Sequence, residues 1–192
     1  MKLFVIKPDQ KALDEAMSLL QHMPGETQKV AARAINRTVM AGRTVASRRV
    51  RDVYTVKASD VRASFFKSVK ARSNWLRGEL VSKGTALELA AFQHRPNKGD
   101  TTGSNRKTIF VTVKKEKTAP LATGFRYSNR IYQRIGKKHQ GWNKNLEIPY
   151  SVSVPQMLGN ANVAPDVQDR MQEAFERRLL HEVQFVLTKG KV

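Results

Sequence analysis

The chain has 192 residues, 40% hydrophobic and 7% aromatic, which suits one domain, or one domain with arms, and excludes wholesale disorder. It has no cysteine, so disulfides, thiolate zinc sites and cysteine nucleophiles are excluded, a usage that fits synthesis in a reducing cytoplasm; no apolar run approaches the roughly 18–20 residues of a membrane span. Lysine and arginine number 35 against 16 acids, net +19, and residues 29–145 hold 27 against 6, so a middle of +21 lies between ends that total −2; this implies a polyanionic neighbour, most simply nucleic acid, or a face in an assembly near one.

In chain order, "MKLFVIKP" has a lysine and a short apolar run, but residues 3–6 fall short of the ~7–15 residues of a secretory h-region. A first strand or packed arm is expected. Pro8 and Asp9 open a helix with Leu13, Met17 and Leu20 at i, i+4, i+7 and Ala16 beside them, and "HMPG" at 22–25 stops it. Thr27 is the expected cap of the next helix, of about 25 residues by its periodicity. Its apolar set, Val30, Ala31, Ala34, Ile35, Val39, Gly42, Val45, Ala46, Val50 and Val53, falls in an arc of about 200°. Small residues along that stripe permit close approach of a neighbour. Lys29, Arg33, Arg37, Arg43, Arg48 and Arg51 collect opposite, as a solvated face or one turned toward phosphate. On either reading, charge reversal at Arg33 and Arg37 is expected to leave folding intact. Arg49 falls among the apolar residues, so it needs a partner or marks an interface.

Residues 56–71 read as a short helix starting at Ala58 or Ser59, with Asp60 in its first turn and Val61, Phe65 and Val69 in one stripe. "SNWLRGELVSKG" and "ALELAAFQ" alternate as strands do, with Gly78 weakening the first. Residues 94–107 form a polar Gly/Pro/Asn loop. "TIFVTVKK", 108–115, has the cleanest alternation, Ile109, Val111 and Val113 against Phe110, Thr112 and Lys114. "GFRYSNRIYQRIGKK" adds strand or hairpin material, and "GKKHQGWNKN" a turn. "LEIPYSVSVPQML" has two prolines and reads as an edge strand or an arm. Pro165 and Asp166 open a terminal helix with Val167, Met171, Phe175 and Leu179 at i+4 steps and Asp169 in its first turns. The expected architecture is α+β, a single domain over 1–192: residues 1–71 mainly helical, 72–158 mainly a mostly antiparallel sheet, 163–188 a C-terminal helix.

Catalytic chemistry is sparse. His22, His94, His139 and His181 are isolated, without HxxxH or a carboxylate at ligand spacing, and Asp52, Asp60, Glu79, Glu88, Asp100 and Glu116 are all separate, where a two-metal nuclease needs clustered carboxylates. "GKKHQG" lacks the spacing of a phosphate loop. No cofactor is expected, and the expectation is a protein that is not an enzyme. A divergent metal-dependent nuclease or peptidase is the minor alternative. No helix-turn-helix, zinc-finger, RRM or KH signature is present, which argues against base reading but not against phosphate contact. The basic residues between 114 and 138 that flank Phe125, Tyr127 and Tyr132 fit a patch with interleaved aromatics, as single-strand binders use, or a sheet with a charged outer face.

The order of these pieces is similar to the prophage minor tail protein Z family. "AARAINRT" (31–38) followed by arginines and then "YTVKASDVR" (54–62) resembles its amino-terminal half. "LELAAFQHR", "FVTVKK", "GFRYSNRIYQRIGKK" and "IPYSVSVPQML" resemble its sheet and closing extended segment, over about residues 5–185. The lysine-rich turn and the 96–106 loop look peculiar to this member. The resemblance implies a structural tail component, a minor tail or tail-completion protein that acts in tail termination or head–tail joining, made in the bacterial host cytoplasm and residing in the virion tail. It implies a homo-oligomer, often a ring, in the assembled particle, contacts with other tail or head–tail connector proteins, and non-sequence-specific contact with DNA, with no membrane. On that view Arg33, Arg37, Arg43, Arg48, Lys114, Lys115, Lys117, Arg126, Arg130, Arg134, Lys137 and Lys138 face DNA or an acidic partner. Arg49, Pro149, Val154, Pro155, Met157 and Leu158 are the expected assembly contacts. The alternative is a nonspecific nucleic-acid-binding accessory protein acting off the virion.

Overall fold

The structure, a computed structural model, describes residues 2–8, 10–23, 25–96, 108–135 and 145–189. In chain order come β1 (Lys2–Ile6), α1 (Gln10–Leu19), α2 (Glu26–Val53), α3 (Ala58–Ala63), β2 (Phe65–Val69), β3 (Gly78–Ser82) and β4 (Ala86–Glu88). A 3-10 turn (Leu89–Ala91) leads to β5 (Gln93–Arg95), β6 (Ile109–Lys114), β7 (Lys117–Leu121), β8 (Gly124–Tyr127) and β9 (Arg130–Arg134). The chain ends with β10 (Leu146–Glu147), β11 (Tyr150–Ser153), α4 (Val154–Leu158) and α5 (Ala164–Lys189). The fold is α+β, with the long α2, several small antiparallel sheets and a long C-terminal helix.

The apolar arc of α2 is its buried face: Val30, Ala31, Ala34, Ile35, Val39, Ala46 and Val50 are all within 1% of full burial, and Gly42 is buried with them. Each fully buried valine or isoleucine there contributes about 1.5–3 kcal/mol. α5 runs antiparallel along α2, because the start of α2 meets its end (Arg33 and Arg37 on Glu182) and the end of α2 meets its start (Arg49 on Asp166). Between these points Met171 packs over Gly42, where a Cβ would sit 2.7 Å from the methionine Cε. Val167, Met171, Phe175, Leu179 and Val183 are the buried stripe of α5.

On another side of α2 lies the sheet β1-β3-β2, with β3 central. Gly78 begins β3 where the helix comes closest, and a Cβ there would lie 2.5 Å from Ile35 Cγ2 and 2.6 Å from Val39 Cγ2. The glycine that weakens a strand by propensity is here what lets helix and sheet touch. Asn36, on the same helix, donates to Ala71 O (3.0 Å) and accepts from Ala71 N (2.8 Å), so its amide caps the chain leaving β2 as a neighbouring strand would.

The remaining strands form three smaller antiparallel sheets, β5-β6-β7, β10-β9-β8 and β11-β4. The first of these joins the helical part at the end of α2. Tyr54 bridges Lys114, Thr55 N donates to Val113 O (3.1 Å), and Lys115 N donates to Val53 O (3.0 Å). The Tyr54 hydroxyl accepts from Asn160 Nδ2 at 2.9 Å, tying the approach to α5 to the same point.

Several local expectations are corrected. Thr27 lies inside α2, buried, and Gly25 occupies the cap. Met17 is 53% exposed while Ala16 and Leu20 are buried. The expected helix over 56–71 stops at Ala63, and Phe65–Val69 is a strand. A stripe at Val61, Phe65 and Val69 fits a helix equally well, but pairing with β3, reinforced by Ser64 Oγ against Ser82 Oγ (2.9 Å), decides for the strand. "ALELAAFQ" is broken by the 3-10 turn, and β7 adds a strand that the sequence pattern does not mark. The final extended segment becomes helical at Val154. Ser153 Oγ accepts from Gln156 N (3.4 Å) and Gln156 Oε1 accepts from Ser153 N (2.8 Å), a reciprocal cap, and Pro155 sits in the first turn where its missing N–H costs nothing. The loop at 97–107 and the turn at 136–144 lie outside the described residues.

Candidate functional site

The arginines of α2 divide into two kinds. Glu182 is 2% exposed on the buried stripe of α5, and Arg37 Nη1 lies 2.6 Å from Oε1 while Arg33 Nε lies 3.1 Å from Oε2. A carboxylate taken out of water needs such partners, so these two arginines hold α5 onto α2. Their outer portions remain wet, with side chains 43% and 53% exposed. The expectation that charge reversal there is harmless to folding is therefore corrected: it would set new carboxylates against a buried one. Glu26, in the first turn of α2, accepts from Lys29 Nζ at 2.8 Å. That bond, with the charges of Lys29 and Arg33, holds its carboxyl below the ordinary glutamate range against a smaller opposing effect of burial.

Arg49 finds its partner within the chain. Its Nε lies 3.1 Å from Asp166 Oδ2 and its Nη2 donates to Asn162 O at 3.3 Å, so it locks the start of α5 to the end of α2. Arg170 shares the same Asp166 oxygen at 3.0 Å. As an assembly contact Arg49 is thus already engaged. Arg43 is half-buried with its Nε covered, and Arg48 is exposed.

The other expected assembly contacts are mostly core. Val154 is 2% exposed, Met157 and Leu158 are fully buried, and Pro155 is buried beside them, because the cap at Ser153 winds this segment into α4 and turns it inward. They are corrected from assembly contacts to core residues. Pro149 is half-buried, and its carbonyl accepts from Leu89 N at 2.9 Å.

The basic residues of the sheets sit on a different part of the molecule. Arg37 lies 16 residues before the end of α2, roughly 24 Å along the axis at ~1.5 Å per residue, so Arg33 and Arg37 do not share one patch with the sheet cluster. Lys114 Nζ stands 5.9 Å from the centroid of the Tyr54 ring, Arg134 stands 5.6 Å from that of Phe125, and Arg130 Nε is 3.4 Å from Glu88. Lys115 and Lys117 are exposed at the β6–β7 turn. Phe125 is only 5% exposed and stacks on Tyr132 (5.8 Å), so it is a core residue and not a base platform; Tyr127 is exposed. Lys137 and Lys138 lie outside the described residues.

His94, isolated in sequence, is brought by the fold against Arg126, one of the expected DNA-facing residues. Its Nδ1 lies 2.8 Å from Phe92 O, so Nδ1–H donates to that carbonyl and Nε2 accepts from Arg126 Nη1 at 3.3 Å. Clefts open on both sides of β5, the edge strand of its sheet. One, about 370 Å³, includes Lys57, Phe92 and Arg126 in its lining; the other, about 430 Å³, includes Arg95, Phe110 and Lys115. Among the described residues the linings contain no acid. Among the described residues no three of His, Asp and Glu come together as a metal-ligand set, and no helix is long and apolar enough to cross a membrane.

No family model, no curated protein and no solved structure matches this chain.

Proposed function

We propose that the chain is a structural component of a phage or prophage tail, a minor tail or tail-completion protein that acts in tail termination or head–tail joining. It would do so by self-association and by contacts with other tail or connector proteins. The observation that carries this is the order of motifs along one α+β chain, "AARAINRT", "YTVKASDVR" and "GFRYSNRIYQRIGKK", together with +21 concentrated in residues 29–145. Support for taking the first motif as a frame comes from Asn36 on Ala71 and Arg37 on Glu182, contacts that tie α2 to the sheet and to α5. Positive charge is useful to a subunit that stands beside passing DNA, because phosphate contact needs no base readout. With Val154, Met157 and Leu158 in the core, assembly contacts fall to surfaces other than the closing segment. Deleting the gene from the prophage that carries it should yield heads and tails that fail to form infectious particles, and normal infectivity would contradict the role.

A second reading is favoured by the cationic clefts beside β5: a nonspecific nucleic-acid-binding accessory protein acting off the virion. It predicts a steep loss of DNA affinity with salt in the isolated protein, together with particles that assemble normally without it.

A further inference from the structure

The outer face of the β5-β6-β7 sheet is set by register. Arg95 pairs with Phe110 and Phe110 with Pro120; in the next row Gln93 pairs with Thr112 and Thr112 with Thr118; beyond them Lys114 pairs with Lys117. Alternation along β6 puts Ile109 and Val111 into the core and leaves Phe110 outside, 47% exposed beside Pro120 on a sheet surface that also carries arginine, lysine and threonine. Phe110 thus presents an open ring face between Arg95 on one strand and Pro120 on the other. Around the edge of β5, less than one strand away, the second cleft adds Lys57 and Arg126, with His94 holding the Arg126 guanidinium at the rim.

We propose that the two clefts flanking β5 form one site for the phosphodiester backbone of a single-stranded nucleic acid, with Phe110 as the platform for an unpaired base. Four cations (Lys57, Arg95, Lys115 and Arg126) line the path among the described residues, which suits a chain of phosphates. The aromatic selects the strand state: every base has a face that stacks on a ring, and a duplex keeps those faces inside. Hydrogen-bonding groups near Phe110 are threonine and glutamine on a flat sheet, without a pocket shaped for one base edge, so the site takes strands without regard to sequence. The site goes beyond the tail reading and does not depend on it, because the binding experiment uses the isolated chain and the tail reading is tested in particles.

The test is fluorescence anisotropy of the full chain with a fluorescein-labelled oligothymidylate of about 12 nucleotides, against a duplex of equal length, at low and moderate salt. Since a net charge of +19 attracts any polyanion, the cleft variant Lys57→Ala with Lys115→Ala is matched to Arg177→Ala with Arg178→Ala, two exposed cations on α5 outside both clefts. All four side chains are exposed, and far-UV circular dichroism checks that each variant is folded. The cleft pair should weaken single-strand binding about tenfold more than the control pair and flatten the salt slope by about 1.4, for two phosphate contacts at ~0.7 each. Phe110→Ala should weaken the single strand by about 5–150-fold and leave the duplex unchanged. Equal losses in the cleft and control pairs, a Phe110→Ala protein that binds the single strand as well as the parent does, or no binding at all would each overturn the site.

Discussion

Glu182 is the residue on which the two long helices depend most visibly. It sits at 2% exposure with both oxygens engaged, Oε1 by Arg37 at 2.6 Å and Oε2 by Arg33 at 3.1 Å. Replacing both sides of such a pair by apolar groups can be neutral, but removing one side leaves an uncompensated charge. Glu182→Ala should therefore cost about 2–4 kcal/mol, the half-exposed arginines regaining some water. Arg37→Glu should cost at least as much, since it sets a carboxylate against a buried one. Urea unfolding of the two variants checks both, and parental stability in Arg37→Glu would mean that Glu182 is not held as described. Glu26 is a weaker case with a definite sign. Its carboxyl is held low by Lys29 and Arg33, so its contribution is fully present above the unfolded-state value near 4.5 and is lost as pH falls through the lower folded value. Because the group is surface-lying, the contribution is below about 1 kcal/mol. The stability gap between the parent and Glu26→Gln should be measurable at neutral pH and close as pH falls below the ordinary glutamate range.

Among the elements, two glycines at the α2 contacts make opposite predictions. A Cβ at Gly78 meets the branched carbons of Ile35 and Val39 at 2.5–2.6 Å, side chains stiff at χ1 and packed on both sides. Gly78→Ala should destabilise by about 1–3 kcal/mol. A Cβ at Gly42 meets the end of Met171, which can swing away, and the helix interior gains ~0.5–1 kcal/mol from alanine. Gly42→Ala should thus be near neutral, and thermal melts of the two compare them directly. What was legible in the sequence follows the same physics. The arcs of α2 and α5 and the alternation of β6 are each long enough to fix type and face from local pattern. Phe65–Val69 is not, because five residues with apolar groups four apart satisfy either period and only the distant β3 chooses. β7, "KTAPL", has no alternation at all and exists because β6 supplies its partner. α4 carries a local cue, S-x-x-Q at Ser153 and Gln156, and of the two nearby prolines that point to an extended segment one belongs in a first helical turn. Glu182 was signalled too: three residues beyond Leu179, it continues the stripe of Val167, Met171, Phe175 and Leu179 as a lone carboxylate, the counterpart of the arginine seen on the stripe of α2. His94 gave no local sign, since its cleft is made by β5, β8 and the segment before α3, far apart in sequence.

Across the whole molecule, the unequal charge of middle and ends is partly resolved by folding. The C-terminal helix brings Glu182 and Asp166 back onto Arg33, Arg37 and Arg49, so a share of the basic helix is answered within the chain. Cations gather instead in the clefts beside β5, around Lys57, Arg95, Lys115 and Arg126. A body of this kind, helices clamped together by ion pairs on the buried Glu182 and the partly exposed Asp166 with cationic clefts at the small sheets, suits a subunit whose neighbours are protein on one side and phosphate on another. The proposed place of that subunit is the tail of a phage particle. Electron microscopy of particles carrying a labelled copy of this chain tests it most directly: the account predicts label at the head-proximal end of the tail, and intact infectious particles without label anywhere would contradict it.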